Sequence, residues 1–296
     1  MKDRFLKSIK KLKGVKIYKN INVRDDTNMR IDSVFLYKIE IFSLYQSKKV
    51  FELIKKYNKK YYIIGKGSNV LLSKEYYPDV LIKLMPNKLK NLNVIGAGES
   101  LNYLNSIYIN KGISSLNFLT GVPCSIGGAI YMNAGAFGKS MSDIIEYVYV
   151  LDIEELKFKV LTNNECQFGY RDSYFKYHDV MILGAKIKLL DEQKEYLLKK
   201  HHEYLMIRRR NLPIEYPNLG SIFKNPKDEY VGKLVENLGL KGLILGGSMI
   251  SKKHGNIIVN YDNAKYSDIL KLIDIIRDEV YKEYKIILEL EIIIFK

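Results

Sequence analysis

The sequence predicts an α+β protein in two parts, a larger one over residues 1–190, with its core at about 25–190, and a smaller one over 191–296. Three observations carry this. Strand and helix patterns alternate irregularly, with no internal repeat. At Asp191 the texture shifts to a long charged stretch. The 296 residues also exceed the roughly 100–200 usual for one domain.

After a basic lead-in, Lys59-Lys60-Tyr61-Tyr62-Ile63-Ile64 reads as a short buried strand that stops at Gly65-Lys66-Gly67-Ser68-Asn69. Residues 70–72 and 80–84 continue as strands. Leu101, Leu104, Ile107 and Tyr108 stand at helical spacing, predicting a helix from 101 to 111 that Gly112 ends. Strand patterns recur at 147–151 and 180–189, with Thr162-Asn163-Asn164-Glu165 between them as a capping box. A charged helix runs from 191 to about 210, followed by a proline-containing turn. Helices near 231–238 and 265–283 come next, and a strand over 286–295 closes the chain.

Lys and Arg number 48 against 33 Asp and Glu, a net charge of +15. The lysines are scattered along the whole chain, as on solvated faces. Such a surface draws anionic small molecules, and a non-catalytic nucleic-acid-binding protein stands as an alternative. Two cysteines, Cys124 and Cys166, exclude a disulfide framework and a four-thiolate zinc site. His178, His201, His202 and His254 sit in no metal-ligand spacing, so no metal is expected and surface positions are. The basic start lacks a continuous apolar stretch, and no run nears the ~20 apolar residues of a membrane span. The expectation is a cytoplasmic protein with no membrane contact and no obligatory protein partner.

Two small-residue loops stand out. In Gly65-Lys66-Gly67-Ser68-Asn69 glycines permit a sharp turn and bring N–H groups toward an anion, although a plain hairpin turn explains them equally. Gly121-Val122-Pro123-Cys124-Ser125-Ile126-Gly127-Gly128-Ala129 runs toward Asn133. It reads either as a helix start with exposed N–H groups for a pyrophosphate or as a tight helix–sheet crossing. Asn133-Ala134-Gly135-Ala136-Phe137-Gly138-Lys139-Ser140 imitates a P-loop, but its first position is Asn rather than Gly.

Beyond these, Arg171 follows a glycine turn and suits a carboxylate, of a substrate or of a nearby acid. Ser221, Lys224 and Asn225 lie in a Gly/Pro-bounded strand. Glu289 and Glu291 share one face of the closing strand, either solvated or facing a cleft with a raised pKa.

In this order the segments IIGKGSNVLL, GVPCSIGGAIYMNAGAFG, FGYRDSYFK, RRRNLPIEYPNLGSIFKNP, GKLVENLGLKG, GGSMISKKHGNIIVN and LELEIIIF resemble the UDP-N-acetylenolpyruvoylglucosamine reductase family over about residues 60–295. The compact subclass without an extra tyrosine-bearing loop fits best. The resemblance implies an FAD-binding domain of the vanillyl-alcohol-oxidase (PCMH) type over 1–190. It implies a smaller α+β substrate-binding domain over 191–296, whose last strand contributes to the active site. FAD would be the cofactor, NADPH the co-substrate and UDP-N-acetylglucosamine enolpyruvate the substrate, in peptidoglycan precursor synthesis.

Carried over position by position, the resemblance implies cofactor contacts at Gly65, Gly67, Ser68, Asn69, Val70, Gly121, Ser125, Gly127, Gly128 and Asn133. Substrate contacts fall at Lys224, Asn225 and His254. Arg171 would stabilise the enolate, Ser221 would give it a proton, and Glu291 would assist as a hydrogen-bonding acid. A flavin oxidase on the same scaffold is the rival within the fold. Asp32-Ser33 and Cys124 stand where glycine is commoner in the family, Leu219 replaces Ala, and Met249 replaces a polar residue.

Overall fold

Along Val34–Ile41, burial alternates residue by residue, with Phe35, Tyr37, Ile39 and Ile41 turned inward, the signature of a strand with one wet face. This strand belongs to one of two four-stranded sheets in a computed structural model that describes residues 3–86 and 91–296. The sheet runs in the order Val15–Asn22, Val34–Ile41, Tyr76–Leu84, Tyr61–Ile64, the last two parallel. The second sheet, Lys157–Thr162, Ile145–Asp152, Val180–Ile187, Val94–Gly96, is antiparallel throughout.

Both sheets feed one core. Helix Leu44–Lys56 contributes Val50, Phe51 and Ile54 to it, helix Leu101–Asn110 contributes Leu101, Leu104 and Tyr108, and helix Ile126–Tyr131 contributes Ile126, Ala129 and Ile130. Each Val, Leu, Ile or Phe among these, fully buried, stabilises the fold by roughly 1.5–3 kcal/mol. These elements form a first compact unit, Met1–Ile21, Phe35–Gly65 and Pro78–Leu205.

The second unit is Asn22–Val34, Lys66–Tyr77 and Met206–Lys296. Its three-stranded antiparallel sheet is Ile244–Leu245, Ser248–Ile250, Ile258–Asn260. Helix Tyr266–Tyr284 packs with it through Ile269, Leu272, Ile273, Ile276 and Val280, beside Leu234 and Val235 of helix Val231–Asn237. Met29, Ile31 and Leu71 are buried in this same core. Asn260 holds the first of these segments, donating from Nδ2 to the Met29 carbonyl at 2.9 Å. Strand Val70–Leu72 pairs in parallel with Ile293–Phe295.

The compact units therefore do not follow a linear cut at residue 190. Two early excursions join the second unit, and the chain passes between units at Leu205/Met206, inside helix Lys194–Asn211. Pairing between residues more than 220 positions apart, as at Val70 and Ile293, leaves no local signature for a linear reading.

Local detail departs from the sequence reading in places. Thr162 N–H and Oγ1 both reach Glu165 Oε2 at 2.7 Å, so the capping-box bonds form, but they close a turn and no helix follows. The strand before that turn, Lys157–Thr162, adds to the predicted elements, and its Phe158 and Val160 face outward, 49% and 56% exposed. The closing strand is only Ile293–Phe295; residues 286–292 make a single bridge, Phe223 to Leu290. The P-loop imitation is a two-residue hairpin, Phe137 (φ 52°) and Gly138 (φ 76°) between Gly135–Ala136 and Lys139–Ser140.

Candidate active site

In the first unit Gly65, the first residue of one small-residue loop, lies against Ser125 of the other. Gly65 ends strand Tyr61–Ile64, and a β-carbon built on it would overlap Ser125 Oγ, so only glycine lets the strand end approach this closely. Ser125 caps helix Ile126–Tyr131, accepting from Gly128 N–H at 3.2 Å. Ile126 N–H goes to the Glu99 carbonyl at 2.9 Å and Gly127 N–H to the Ala97 carbonyl at 2.8 Å. The expectation of exposed N–H groups at this helix start is thereby corrected: all three are bonded within the protein, and Gly127 is small because Ala97 lies against it. Cys124 is buried in the same core, and Gly121 takes φ 78°.

Arg171 sits in a tight turn closed by reciprocal bonds between Gly169 and Asp172, and itself adopts φ 54°. Its Nη2 donates to the Gly135 carbonyl at 3.0 Å, and the Arg171 carbonyl accepts from Lys176 Nζ at 2.6 Å. Asn133, expected at the cofactor, is buried with both ends of its amide engaged. Nδ2 donates to the Gly169 carbonyl at 2.8 Å and Oδ1 accepts from Ser142 N–H at 2.9 Å. The residue thus braces the Arg171 turn. Burial, and then the nearby Asp172 carboxylate, raise the Tyr131 phenol above its ordinary pKa.

In the second unit Gly67 takes φ 61°, and its carbonyl accepts from Asn28 N–H at 3.0 Å. A left-handed residue in such a loop shapes the backbone concavity that suits a phosphate, and the adjoining Ser68 adds a hydroxyl. That conformation is compatible with a dinucleotide pyrophosphate. Asp32, where glycine is commoner, accepts from Asn22 Nδ2 at 2.8 Å and pairs with Arg24 at 3.1 Å. Ser33 is buried and donates to the Lys74 carbonyl at 2.8 Å. Leu219 and Met249 are buried.

The second unit also brings Ser221 and Glu291 onto neighbouring segments. Glu291 N–H donates to the carbonyl of Ile222, the residue after Ser221, at 2.8 Å. Ile222 N–H donates to the Asn256 carbonyl at 2.8 Å. Lys224 is bound at both ends to Glu289, N–H to carbonyl at 2.9 Å and Nζ to Oε1 at 2.6 Å. Asn225 Oδ1 accepts from Val231 N–H at 3.2 Å and so tethers the start of helix Val231–Asn237.

A cleft of about 210 Å³ opens here, lined by three expected residues, Ser221, Asn225 and His254, together with Tyr230, Lys233, Glu236, Lys241 and Lys253. Lys224 is not among its lining residues. His254 Nδ1 accepts from Asn256 N–H at 3.2 Å, which places the imidazole proton on Nε2 as a donor. Burial, and then Lys241, hold this imidazole below its ordinary pKa. The reading of every histidine as a surface residue is thus revised, for His201 as well: burial and then His202 lower its pKa, and it bonds Thr120 Oγ1 at 3.0 Å.

Sequence reasoning missed Tyr230, Lys233, Lys241 and Lys253. The segments GKLVENLGLKG and GGSMISKKHG carry the three lysines, but as three among 48 cationic residues they did not stand apart. Lys241 pairs with Glu236 at 3.1 Å and Lys253 with Glu215 at 3.0 Å. The cleft wall is therefore cationic with acidic residues alongside. Among the described residues no group of three potential metal ligands gathers, and no helix is long and apolar enough to cross a membrane.

Comparison with known proteins gives two matching family models: an FAD binding domain over residues 42–155 and the C-terminal domain of UDP-N-acetylenolpyruvoylglucosamine reductase over 212–295. The chain is 35% identical to the Bacillus subtilis UDP-N-acetylenolpyruvoylglucosamine reductase over 296 residues, covering 98% of this chain and 97% of that one. It is 38% identical to the reductase of Caldanaerobacter subterraneus over 238 residues, 78% of each chain. The solved reductase from Thermus caldophilus superposes with a TM-score of 0.80 at 30% identity, covering 95% of this chain and 99% of that one. A grass-pollen glucose dehydrogenase, Phl p 4, matches at TM-score 0.50 and 13% identity over 65% of this chain and 45% of that one, a likeness of fold alone. The α+β fold is thus an FAD-binding domain of the vanillyl-alcohol-oxidase (PCMH) type joined to the family's C-terminal domain.

Proposed function

Since the chain belongs to the UDP-N-acetylenolpyruvoylglucosamine reductase family, we propose that the cationic cleft of its second unit receives the nucleotide-sugar substrate and that Arg171, Ser221 and Glu291 serve the reaction at its enolpyruvyl group. The enzyme is an FAD-dependent oxidoreductase of peptidoglycan precursor synthesis. The observation that carries the site assignment is the gathering of Ser221, Asn225 and His254 with Lys233, Lys241 and Lys253 around one cleft.

The substrate's diphosphate carries negative charge, and lysines at a cleft attract it as point charges. His254, neutral with its proton on Nε2, offers a directed donor, and Tyr230 a phenol. Gly65, Gly67, Ser68, Val70, Gly121 and Ser125 are the residues that would hold FAD. Bound there, FAD would supply hydride chemistry, replenished by NADPH, for reduction of the enolpyruvyl double bond.

Negative charge then develops on the carbon beside the carboxylate. Arg171, whose planar guanidinium matches a carboxylate or enolate, stabilises it where it forms. Ser221 delivers a proton to that carbon; an aliphatic hydroxyl is a weak acid, but an enolate is basic enough to take its proton. Glu291 supports this transfer through a hydrogen bond. A charged, water-soluble nucleotide sugar as substrate supports work in the cytoplasm.

An anaerobic two-step experiment tests the proposal. NADPH is expected to bleach the bound flavin, and UDP-N-acetylglucosamine enolpyruvate to restore its colour. Reoxidation by oxygen but not by the enolpyruvyl compound would overturn the reading in favour of an oxidase.

A further inference from the structure

The Asn69 side chain does something its place in the glycine loop does not call for. Strands Val70–Leu72 and Ile293–Phe295 are parallel, with Val70 opposite Ile293, and Ile293 N–H donates to the Asn69 carbonyl at 2.9 Å. In a parallel ladder of this register the preceding rung would run from the main-chain N–H of Asn69 to the carbonyl of Glu291. Here the side chain fills that rung, with Asn69 Nδ2 donating to the Glu291 carbonyl at 3.0 Å. The ladder thus ends one residue early on the loop side, while the peptide of Glu291 is held as if the ladder continued.

The other edge of that peptide is fixed as well, since Glu291 N–H donates to the Ile222 carbonyl at 2.8 Å. Glu291 is therefore gripped between the segment that carries Ser221 and the loop that carries Gly67 and Ser68. We propose that Asn69 is a positioning residue for Glu291: its side-chain amide replaces a ladder rung, releasing the loop's main chain from the sheet while holding the acid in register with Ser221. Alanine or valine at this position offers no such donor, and glutamine retains one at a greater length.

This inference rests on the role given to Glu291 above, and a double-mutant cycle separates the two. In Asn69→Ala, reoxidation by the enolpyruvyl substrate is expected to slow about tenfold or more, and by a larger factor than flavin reduction by NADPH. In the Glu291→Gln background the same change should slow that half-reaction by less than about twofold. Asn69→Gln should recover part of the loss. Hydrogen exchange in the peptide spanning 288–295 should rise in the alanine variant, a change that does not depend on turnover. Equal slowing by Asn69→Ala in both backgrounds would overturn the proposal, as would loss of flavin with both half-reactions impaired alike. Should the alanine variant fail to fold, Asn69→Asp, isosteric but without the amide donor, carries the same cycle with the same criteria. A wild-type rate in Glu291→Gln alone would sink the role of Glu291 itself, and the exchange measurement would still report whether Asn69 holds the peptide.

Discussion

Asn256 grips the peptide of Phe223 from both sides: Phe223 N–H donates to Asn256 Oδ1 at 3.0 Å, and Asn256 Nδ2 donates to the Phe223 carbonyl at 2.8 Å. Both residues are buried, so the amide acts as a strand partner for the segment bearing Ser221. Asn256→Ala strands a buried N–H and a buried C=O, at roughly 1–3 kcal/mol each. The denaturation midpoint should fall accordingly, by roughly 2–6 kcal/mol of stability. A loss below roughly 0.5 kcal/mol, the range of an ordinary surface change, would show that the segment holds itself.

Ser221 and Arg171 are expected to separate the two half-reactions. Ser221→Ala should leave flavin reduction by NADPH nearly intact and slow turnover of the enolpyruvyl substrate about hundredfold or more. Equal losses in both steps would refute the proton-donor role. Arg171→Lys keeps the charge but not the planar fork, nor the bond from Nη2 to the Gly135 carbonyl. Stopped-flow traces should show it slowing reoxidation by substrate, and a wild-type rate would end its assignment.

The cleft lysines make a different prediction, because they attract ground state and transition state alike. Lys233→Gln and Lys241→Gln should each raise KM for the nucleotide sugar about fivefold, near 1 kcal/mol, with little change in kcat. Added salt should weaken binding to the wild type more than to the double variant. A fall in kcat at unchanged KM would place these lysines at the reacting group instead.

Much of this arrangement is legible in the sequence where it is local. The strand ending at Ile64, the helix ended by Gly112 and the serine cap at Ser125 each follow from side-chain pattern or turn chemistry over a few residues. The left-handed backbone of Arg171 and Asn133 is not legible, since neither is glycine and both are held by bonds from other segments. The same holds for Met29, Ile31 and Leu71, ordinary apolar residues whose burial in the second unit is decided by distant partners. The helix start at Ile126 misled for a related reason: its N–H groups look open in sequence but meet carbonyls of Ala97 and Glu99.

Protonation of His254 sets a pH dependence of stability. Burial and then Lys241 depress its folded pKa below the ordinary value near 6.5. Between the two values the unfolded chain binds more protons, so stability rises with pH there and is lost as pH falls below about 6.5. His201 acts in the same direction. Urea midpoints at pH 7.5 and 5.5 should therefore differ less in His254→Gln than in the wild type. An unchanged difference would assign the acid limb to other groups.

Gly65 and Ser125 offer the sharpest test of how the first unit's loops are built. A β-carbon at Gly65 has no room against Ser125 Oγ, whereas the Ser125 β-carbon lies at a tight but tolerable 3.3 Å. Gly65→Ala should therefore destabilise by roughly 1–3 kcal/mol through overpacking and weaken flavin retention on gel filtration. Ser125→Ala alone removes a helix cap, costing roughly 0.5–2 kcal/mol. Because the hydroxyl is what the new methyl strikes, Gly65→Ala in the Ser125→Ala background should cost clearly less than in the wild type. Additive losses would mean that the strand end and the helix start are crowded by backbone rather than by that hydroxyl.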